Sequence, residues 1–290
     1  MPRLLAFPLC LFFASLATAT PRPEFPGKSP WILPHGSAWQ RFPENTVPLF
    51  QHYWQAGFRI LEMDVHLTAD GQLVVIHDAT VDDTTNGVGP VASRTLAELK
   101  KLDAGAKFKG KGDYPFRGRG ITIPALREVL VAFPGAAYNI EIKTPDLRAA
   151  PALAKLLAEF RLQGQVLIAS GHQKVLDRFR RLAPDVPTAG TPFETLLFLA
   201  FHKARLAPLC FIWLPCRTFQ PSEKFLGKRV LTPGFIRSAH AAGCVVIPWT
   251  INRPEDLQRL LDWQVDGIIT DYPERLRELL DRKKQGPVND

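Results

Sequence analysis

The stretch that decides the predicted fold is Leu61–Asp78, LEMDVHLTADGQLVVIHD. Apolar and polar residues alternate through its first half, so Glu62 and Asp64 point to the same side of a predicted strand. Asp70-Gly71 favours a two-residue hairpin turn, because both central positions of such a turn need a positive φ. That turn predicts a register in which Asp64 faces His77, whereas a slip of one residue would move His77 to the other face. The hairpin thus predicts two carboxylates and an imidazole at one spot, a pattern typical of a divalent-metal site with a proton carrier beside it.

Outward from this hairpin, the chain alternates strands and helices, which predicts an α/β fold with a parallel sheet. Apolar runs such as Gly267-Ile268-Ile269 fit strands that are covered on both faces. The length suits a TIM-type (β/α)8 barrel with a small insertion after the second strand, but the sequence offers one strand candidate more than a barrel needs. Either residues 73–77 form a hairpin arm, or Cys210–Leu214 lies outside the barrel.

The chain is predicted to hold one domain behind a secretory signal. Residues 1–19 have a basic start, an apolar core and a small-residue cleavage site, which are the marks of a signal peptide; an uncleaved anchor is the alternative. Residues 20–29 read as a Pro-rich tether, 30–284 as the barrel domain and 285–290 as a tail. We therefore expect a secreted or periplasmic protein. Cys210 and Cys216 are either bridged or simply buried thiols.

The charge balance is basic, with 36 Lys+Arg against 28 Asp+Glu and a net charge of +8. Such a balance favours anionic partners. The basic residues are scattered, however, and aromatic RNA-binding signatures are absent, so we expect no nucleic-acid partner.

The polar residues at the predicted strand ends form the candidate site, because a barrel places its chemistry at the C-terminal ends of its strands. Three carboxylates there would repel one another unless a cation lies between them. Oxygen ligands without a cysteine or clustered histidine partner suit Mg²⁺ or Ca²⁺. Lys143 shares the face of Glu141 and could neutralise a phosphoryl oxygen. The strand-end residues are His35, Glu62, Asp64, His77, Glu141, Lys143, Ser170, Trp249, Thr250, Thr270 and Asp271.

An ordered series of motifs over about residues 30–280 resembles the glycerophosphodiester phosphodiesterases. The series contains His35, Pro43-Glu44-Asn45-Thr46, Glu62-x-Asp64-Val65, His77-Asp78, Thr84-Thr85-Asn86-Gly87, Leu102-Asp103-Ala104-Gly105, Ile123-Pro124, Asn139-Ile140-Glu141-Ile142-Lys143, Trp249-Thr250-x-Asn252 and Asp266-Gly267-Ile268-Ile269-Thr270-Asp271.

The resemblance implies a metal-dependent hydrolase that cleaves glycerophosphodiesters to glycerol 3-phosphate and an alcohol, as part of lipid metabolism. It implies that Glu62, Asp64 and Glu141 hold a divalent metal. His35 and His77 would then serve as general acid and base, and Lys143 would bind the phosphate. Glu44 is expected to brace the site and contact substrate, Trp249 to line the pocket, and Asn45 either to support the site or to cap a helix.

One position departs from the family pattern, because Gly36 stands where the family usually has an arginine after the first histidine. The phosphate contact of that arginine is lost unless Arg41 or another base replaces it. Trp39 adds an apolar wall that suits a lipid or a bulkier alcohol.

Three other functions stay open at this stage. A phospholipase D-type enzyme acting on lysophospholipids fits Trp39 and the apolar run Leu196–Phe201, which could also touch a membrane instead of forming only a barrel helix. A catalytically silent barrel that binds phosphoesters fits Gly36. A barrel glycosidase would explain the paired acids but not the lysine or the histidines. The remaining histidines, among them His66 and His172, are expected to be solvated or to cap helices.

Overall fold

The computed structural model describes residues 19–212, 214–225 and 228–285. Most of the predicted signal segment, residues 1–18, and most of the predicted tail, residues 286–290, lie outside these ranges. In the part of the chain that is described, no helix is long and apolar enough to span a membrane.

Strands and helices alternate along the chain, as the sequence predicts. The strands are β1 Trp31–Pro34, β2 Ile60–Leu67, β3 Leu73–Val75, β4 Ala137–Ile142, β5 Val166–Ser170, β6 Thr218–Phe219, β7 Lys224–Phe225, β8 Lys228–Arg229, β9 Val245–Val246 and β10 Gly267–Thr270. The helices are α1 Val47–Gln55, α2 Leu96–Leu99, α3 Leu126–Ala132, α4 Ala149–Phe160, α5 Gln173–Leu182, α6 Pro192–Lys203, α7 Pro233–Ala241, α8 Pro254–Asp262 and α9 Pro273–Gln285.

Parallel pairing links most of the strands into one series. The ladder β2–β4–β5 continues through a bridge between Ile168 and Thr188, then through Ala189 and Thr218 to β6 and β9. β10 pairs in parallel with β1, and the Asp266 N–H donates to the Val246 carbonyl at 2.9 Å beside β9. β1 and β2 belong to separate sheets, so the described pairing shows a mixed α/β fold without tracing a closed ring.

An apolar layer lies inside this series of strands. Apolar side chains from seven parallel segments pack together with Phe25, which comes from the Pro-rich segment 20–29. Each strand turns one face inward, and the next inward residue along it, two positions further, is polar in several of them. The layer therefore forms the floor on which the polar site rests. Its members are Phe25, Leu33, Ile60, Ala137, Leu167, Ala189, Ile247 and Ile269.

The hairpin at the start of the site forms, but its register differs by one residue from the prediction. Its loop has three residues instead of two, because Gly71 alone takes the positive φ of 77° and the Thr68 N–H donates to the Gln72 carbonyl at 2.9 Å. Asp64 therefore meets Ile76, whose N–H donates to the Asp64 carbonyl at 3.0 Å, and the predicted pairing of Asp64 with His77 is wrong.

The surplus strand candidate has two explanations, and both hold in part. β3 is an antiparallel arm of the hairpin, as one alternative predicted. The predicted strand Cys210–Leu214 is wrong, because its first three residues belong to a 3₁₀ helix at Ala207–Ile212 and the Leu214 N–H donates to the Cys210 carbonyl at 2.8 Å. Cys210 and Cys216 are buried free thiols, so the bridge between them does not form.

The insertion that follows β3 has a small apolar core of its own. Val81, Val91, Leu99 and Ile123 belong to that core, which also includes side chains of the hairpin. The insertion reaches back to the loop after β1, where the rings of Trp39 and Phe108 stack with centroids 6.1 Å apart. It therefore braces one side of the site.

Candidate active site

A cavity of about 390 Å³ opens where the parallel strands end. It collects side chains that lie far apart in the chain, because β2 and β4 pair in a register that places Glu62 beside Asn139 and Asp64 beside Glu141. The predicted site residues that line it are His35, Glu62, His77, Glu141, Lys143, Ser170, Trp249 and Thr250. Of the other predicted residues, Asp64, Glu44 and Asn45 are buried next to it without lining it.

Lys143 joins the acids of two strands. Its Nζ lies 3.0 Å from Glu141 Oε2 and 3.3 Å from Asp64 Oδ1. Burial alone would raise the pKa of Asp64, but the charges of Lys143 and His77 hold that pKa below its ordinary value. Asp64 is therefore an anion inside the protein, matched by the ammonium group.

Glu62 lacks such a partner. Its Oε2 accepts a hydrogen bond from the Gly36 N–H at 2.7 Å, while burial and then the charge of Asp64 raise its pKa to about 8. A cation placed beside this carboxyl group would lower its pKa and favour the ionised form. Its positive charge would offset both the burial and the charge of Asp64.

The acids suit a hard divalent cation, although they do not supply a complete set of ligands. Within the described residues no three acidic, histidine or cysteine side chains come together as a metal cluster. Mg²⁺, however, keeps several waters and binds through one or two carboxylates plus substrate phosphate. The buried carboxyl of Glu62 and the cavity-lining carboxylate of Glu141 suit that mode of binding.

His35 is held by the carboxylate of Asp271, a strand-end residue for which the sequence predicted no particular role. His35 Nδ1 lies 2.7 Å from Asp271 Oδ1, and the Asn252 amide donates to Asp271 Oδ2 at 2.7 Å. Burial disfavours the imidazolium, yet the hydrogen bond with Asp271 and the charge of Glu62 raise the pKa of His35 to about 9. With Nδ1 engaged, Nε2 remains for a substrate. The strand-end rule marks Asp271, but nothing local shows that it pairs with His35.

His77 has the same kind of partner in a more open position. Its Nδ1 lies 2.8 Å from Asp78 Oδ1, and both side chains are about 40% exposed. The His77 carbonyl lies 3.0 Å from His66 Nε2. His77 reaches the cavity in spite of the changed register, because β3 ends at Val75 and the pleat no longer decides the direction of the side chain.

The loop after β1 packs tightly against β2. Asn45 donates from Nδ2 to Asp64 Oδ2 at 3.1 Å, and Ser37 donates to the same oxygen at 2.7 Å. A Cβ atom at Gly36 would lie 2.6 Å from the Glu62 carbonyl oxygen, so this backbone leaves room only for glycine. Arg41, one possible replacement for the family arginine, is exposed and does not line the cavity. Within the described lining, Lys143 is the sole lysine or arginine.

Glu44, which is predicted to contact substrate, is buried beside the cavity and does not line it. Burial raises its pKa to about 8, a hydrogen bond with Trp39 opposes that change, and the charge of Asp64 adds to it. A negative charge on Glu44 would therefore add to the repulsion among the acids of β2.

The side of the cavity away from the charges is mostly apolar. Leu196, Val230 and Trp249 line it, and Trp249 Nε1 donates to the Gln220 carbonyl at 2.7 Å. Trp249 is 45% exposed, so its ring stands at the rim. The cavity thus has a charged end and an apolar end.

Comparison with known proteins identifies the family. Residues 35–275 match the model of the glycerophosphoryl diester phosphodiesterase family. A glycerophosphodiester phosphodiesterase of Caldanaerobacter subterraneus subsp. tengcongensis is 35% identical over 86% of this chain and 97% of its own length. One of Bacillus subtilis is 33% identical over 83% of both chains. A lysophospholipase D of Mus musculus is 26% identical over 82% of both chains.

Solved structures agree with this result. A putative glycerophosphoryl diester phosphodiesterase of Silicibacter pomeroyi has a TM-score of 0.70 at 29% identity, over 90% of this chain and 95% of its own. An Oleispira antarctica phosphodiesterase, solved with the product sn-glycerol-3-phosphate, has a TM-score of 0.72 at 24% identity, over 88% of this chain and 98% of its own. The family and these structures imply a TIM-like barrel. The resemblance inferred from the motifs is confirmed: the chain belongs to the glycerophosphoryl diester phosphodiesterase family, and its activity is that of a phosphoric diester hydrolase acting on glycerophosphodiesters.

Proposed function

We propose that the cavity hydrolyses glycerophosphodiesters to glycerol 3-phosphate and an alcohol by acid–base catalysis with the help of a divalent metal. One observation carries this proposal: His35 and His77, each with Nδ1 on a carboxylate, line the same cavity as Lys143. Two histidines oriented in this way can serve as proton acceptor and proton donor on opposite sides of a phosphate.

The environment of His35 supports one division of roles between the two histidines. His35 has a pKa of about 9, holds its proton at neutral pH, and would give it to the departing alkoxide. His77 would accept a proton from the attacking water or substrate hydroxyl. Lys143 would contact a phosphoryl oxygen and keep the phosphate at the charged end of the cavity.

Glu62, Asp64 and Glu141 would hold the metal, Mg²⁺ or Ca²⁺. Members of this family generally depend on a divalent metal, and the raised pKa of the buried Glu62 carboxyl supports the same requirement here. When bound, the metal would stabilise the negative charge that develops on the phosphoryl oxygens.

We further propose that the strands close into a (β/α)8 barrel and that the chain is exported. The apolar layer formed by seven parallel segments and Phe25 supports the barrel. The composition of residues 1–19 supports export, with cleavage after Ala19.

Release of glycerol 3-phosphate from glycerophosphocholine by the purified protein tests the function. The assay runs with EDTA and again after Mg²⁺ or Ca²⁺ is restored, beside a His35→Ala variant. We expect metal-dependent release that the variant lacks. Phosphate binding without turnover in any metal would instead support the silent barrel.

A second candidate is a phospholipase D-type hydrolysis of lysophospholipids, and the apolar end of the cavity favours it. Leu196 lines the cavity and is also 40% exposed, and Phe193 on the same helix is 66% exposed, so an acyl chain could leave the cavity along α6 towards a lipid surface. The similarity to a lysophospholipase D supports this reading. A lysophosphatidylcholine arm of the same assay decides: turnover of this lipid alone would make it the main substrate.

A further inference from the structure

Two histidines outside the proton-transfer pair each hold the backbone of a cavity residue. His66 Nε2 lies 3.0 Å from the His77 carbonyl oxygen, and His172 Nε2 lies 2.9 Å from the Lys143 carbonyl oxygen. A carbonyl oxygen only accepts hydrogen bonds, so Nε2 of each ring must carry the hydrogen. Both histidines are therefore donors aimed at the main chain of the site.

His66 belongs to the inward face of β2. It follows Asp64 by two residues, so it shares the face of Glu62 and Asp64, and it is only 7% exposed. The expectation that it is solvated or caps a helix is therefore wrong.

His77 depends on this contact, because little else determines its position. It lies beyond the end of β3, and its ring is paired only with the exposed Asp78. An exposed ion pair contributes about 0–1 kcal/mol. The half-buried hydrogen bond from His66 therefore joins the Ile76 N–H bond to Asp64 in holding the backbone from which the His77 ring reaches the cavity.

Lys143 lies at the end of β4, where its N–H donates to the Val65 carbonyl at 3.0 Å and its own carbonyl faces His172. It follows the last strand residue, Ile142, whose carbonyl accepts a hydrogen bond from Ser170 Oγ at 2.7 Å. His172 lies at the N-cap position of α5, as a capping histidine would, but its ring bonds to Lys143 and makes no cap hydrogen bond. Side chains at the end of β5 and just after it thus hydrogen-bond to the backbone at the end of β4.

We propose that His66 and His172 are positioning residues with separate tasks. His66 directs His77 for proton transfer, and His172 directs Lys143 for phosphate binding. The division of tasks rests on the proposed function, which assigns the roles of His77 and Lys143.

The test compares glutamine with leucine at each position. Glutamine keeps an N–H donor of comparable reach, whereas leucine removes it. We expect His66→Leu to lower kcat about 10- to 100-fold with KM nearly unchanged, because a misplaced proton carrier affects the chemical step. We expect His172→Leu to raise KM about tenfold or more with a smaller change in kcat, because the loss falls on binding. Each glutamine variant should restore most of the loss.

His240→Gln is the matched control. His240 pairs with Asp266 through Nε2 at 2.8 Å, but it does not line the cavity. The kcat and KM of His240→Gln should therefore stay at wild-type values. Melting temperatures of all variants separate loss of folding from loss of positioning. Equal losses for glutamine and leucine, or the same kcat and KM pattern for both positions, would overturn the proposal.

Two readouts remain if the wild-type protein fails to cleave glycerophosphocholine, a result that would refute the proposed function alone. The first is the imidazole NMR signals of His77, which His66→Leu should shift and His66→Gln should not. The second is the affinity for sn-glycerol 3-phosphate, which His172→Leu should weaken. If neither readout changes, the positioning roles are refuted as well.

Discussion

Asp271→Asn should lower the pKa of His35 in the metal-free protein. The substitution removes the charge 2.7 Å from Nδ1 but keeps an oxygen that can accept the hydrogen bond. The pKa of His35 is raised from 6.5 to about 9, which corresponds to about 3 kcal/mol of preference for the imidazolium. Asp271 shares this effect with Glu62 and Asp64, so we expect a drop of about one to two pKa units, or about 1–3 kcal/mol.

The same pKa predicts a pH dependence of stability. A group whose pKa is raised by folding stabilises the folded protein below its unfolded pKa, 6.5, and this contribution is lost as the pH rises through about 9. As the pH rises from about 6.5 to 9, the stabilisation from His35 is lost, and the melting temperature of the metal-free wild-type protein should therefore fall. In Asp271→Asn the stabilisation from His35 should be smaller and should be lost at a lower pH.

The assay is an NMR titration of the His35 imidazole in EDTA, assigned by its absence in His35→Gln. kcat for glycerophosphocholine is measured in parallel with metal and should fall at least about tenfold, because the ring loses its oriented, charged partner. A His35 pKa that stays within about half a unit of the wild-type value would refute the reasoning.

Three further predictions concern tight packing, a buried ion pair and the apolar wall. Gly36→Ala should destabilise the protein by about 1–3 kcal/mol, because its Cβ would lie 2.6 Å from the Glu62 carbonyl oxygen; unchanged urea unfolding would contradict this. Glu194→Gln should cost about 3–5 kcal/mol, because Arg180 is only 8% exposed and would keep its charge without its main partner; a loss below about 1 kcal/mol would contradict it. Trp249→Ala should reduce turnover of lysophosphatidylcholine more than that of glycerophosphocholine, and equal losses in parallel assays would remove the ring from substrate selection.

The cavity-lining residues were largely predictable because two local rules were enough. The period of two along a strand places Glu62 with Asp64 and Glu141 with Lys143, and the strand-end rule of parallel α/β folds brings them to one edge. Neither rule needs knowledge of the rest of the molecule. The structure accordingly brings eight of the predicted strand-end residues to one cavity.

The hairpin register was not predictable with the same reliability. Asp70-Gly71 suits both a two-residue turn and a three-residue loop with glycine last, and the flanking residues do not decide between them. In the structure Asp70 accepts hydrogen bonds from Thr68 and from the Leu96 backbone, which belongs to the later insertion. A contact from outside the hairpin therefore accompanies the longer loop.

The partners of the two catalytic histidine candidates were unpredictable for a related reason. Asp271 lies 236 residues from His35, and the two meet only because β10 pairs with β1. His66 looked like any histidine on a strand, since nothing local shows that the His77 carbonyl comes to it. The first contact depends on which distant strands pair and the second on the register of the hairpin, and the sequence pattern reveals neither.

The most direct test of the central claim is phosphorus-31 NMR of glycerophosphocholine incubated with the purified protein and Mg²⁺ or Ca²⁺. The account predicts that the diester signal is replaced by that of sn-glycerol 3-phosphate, and that EDTA or His35→Ala stops this conversion. A diester signal that persists with every divalent metal, in a protein that is folded by its melting curve, would contradict the account.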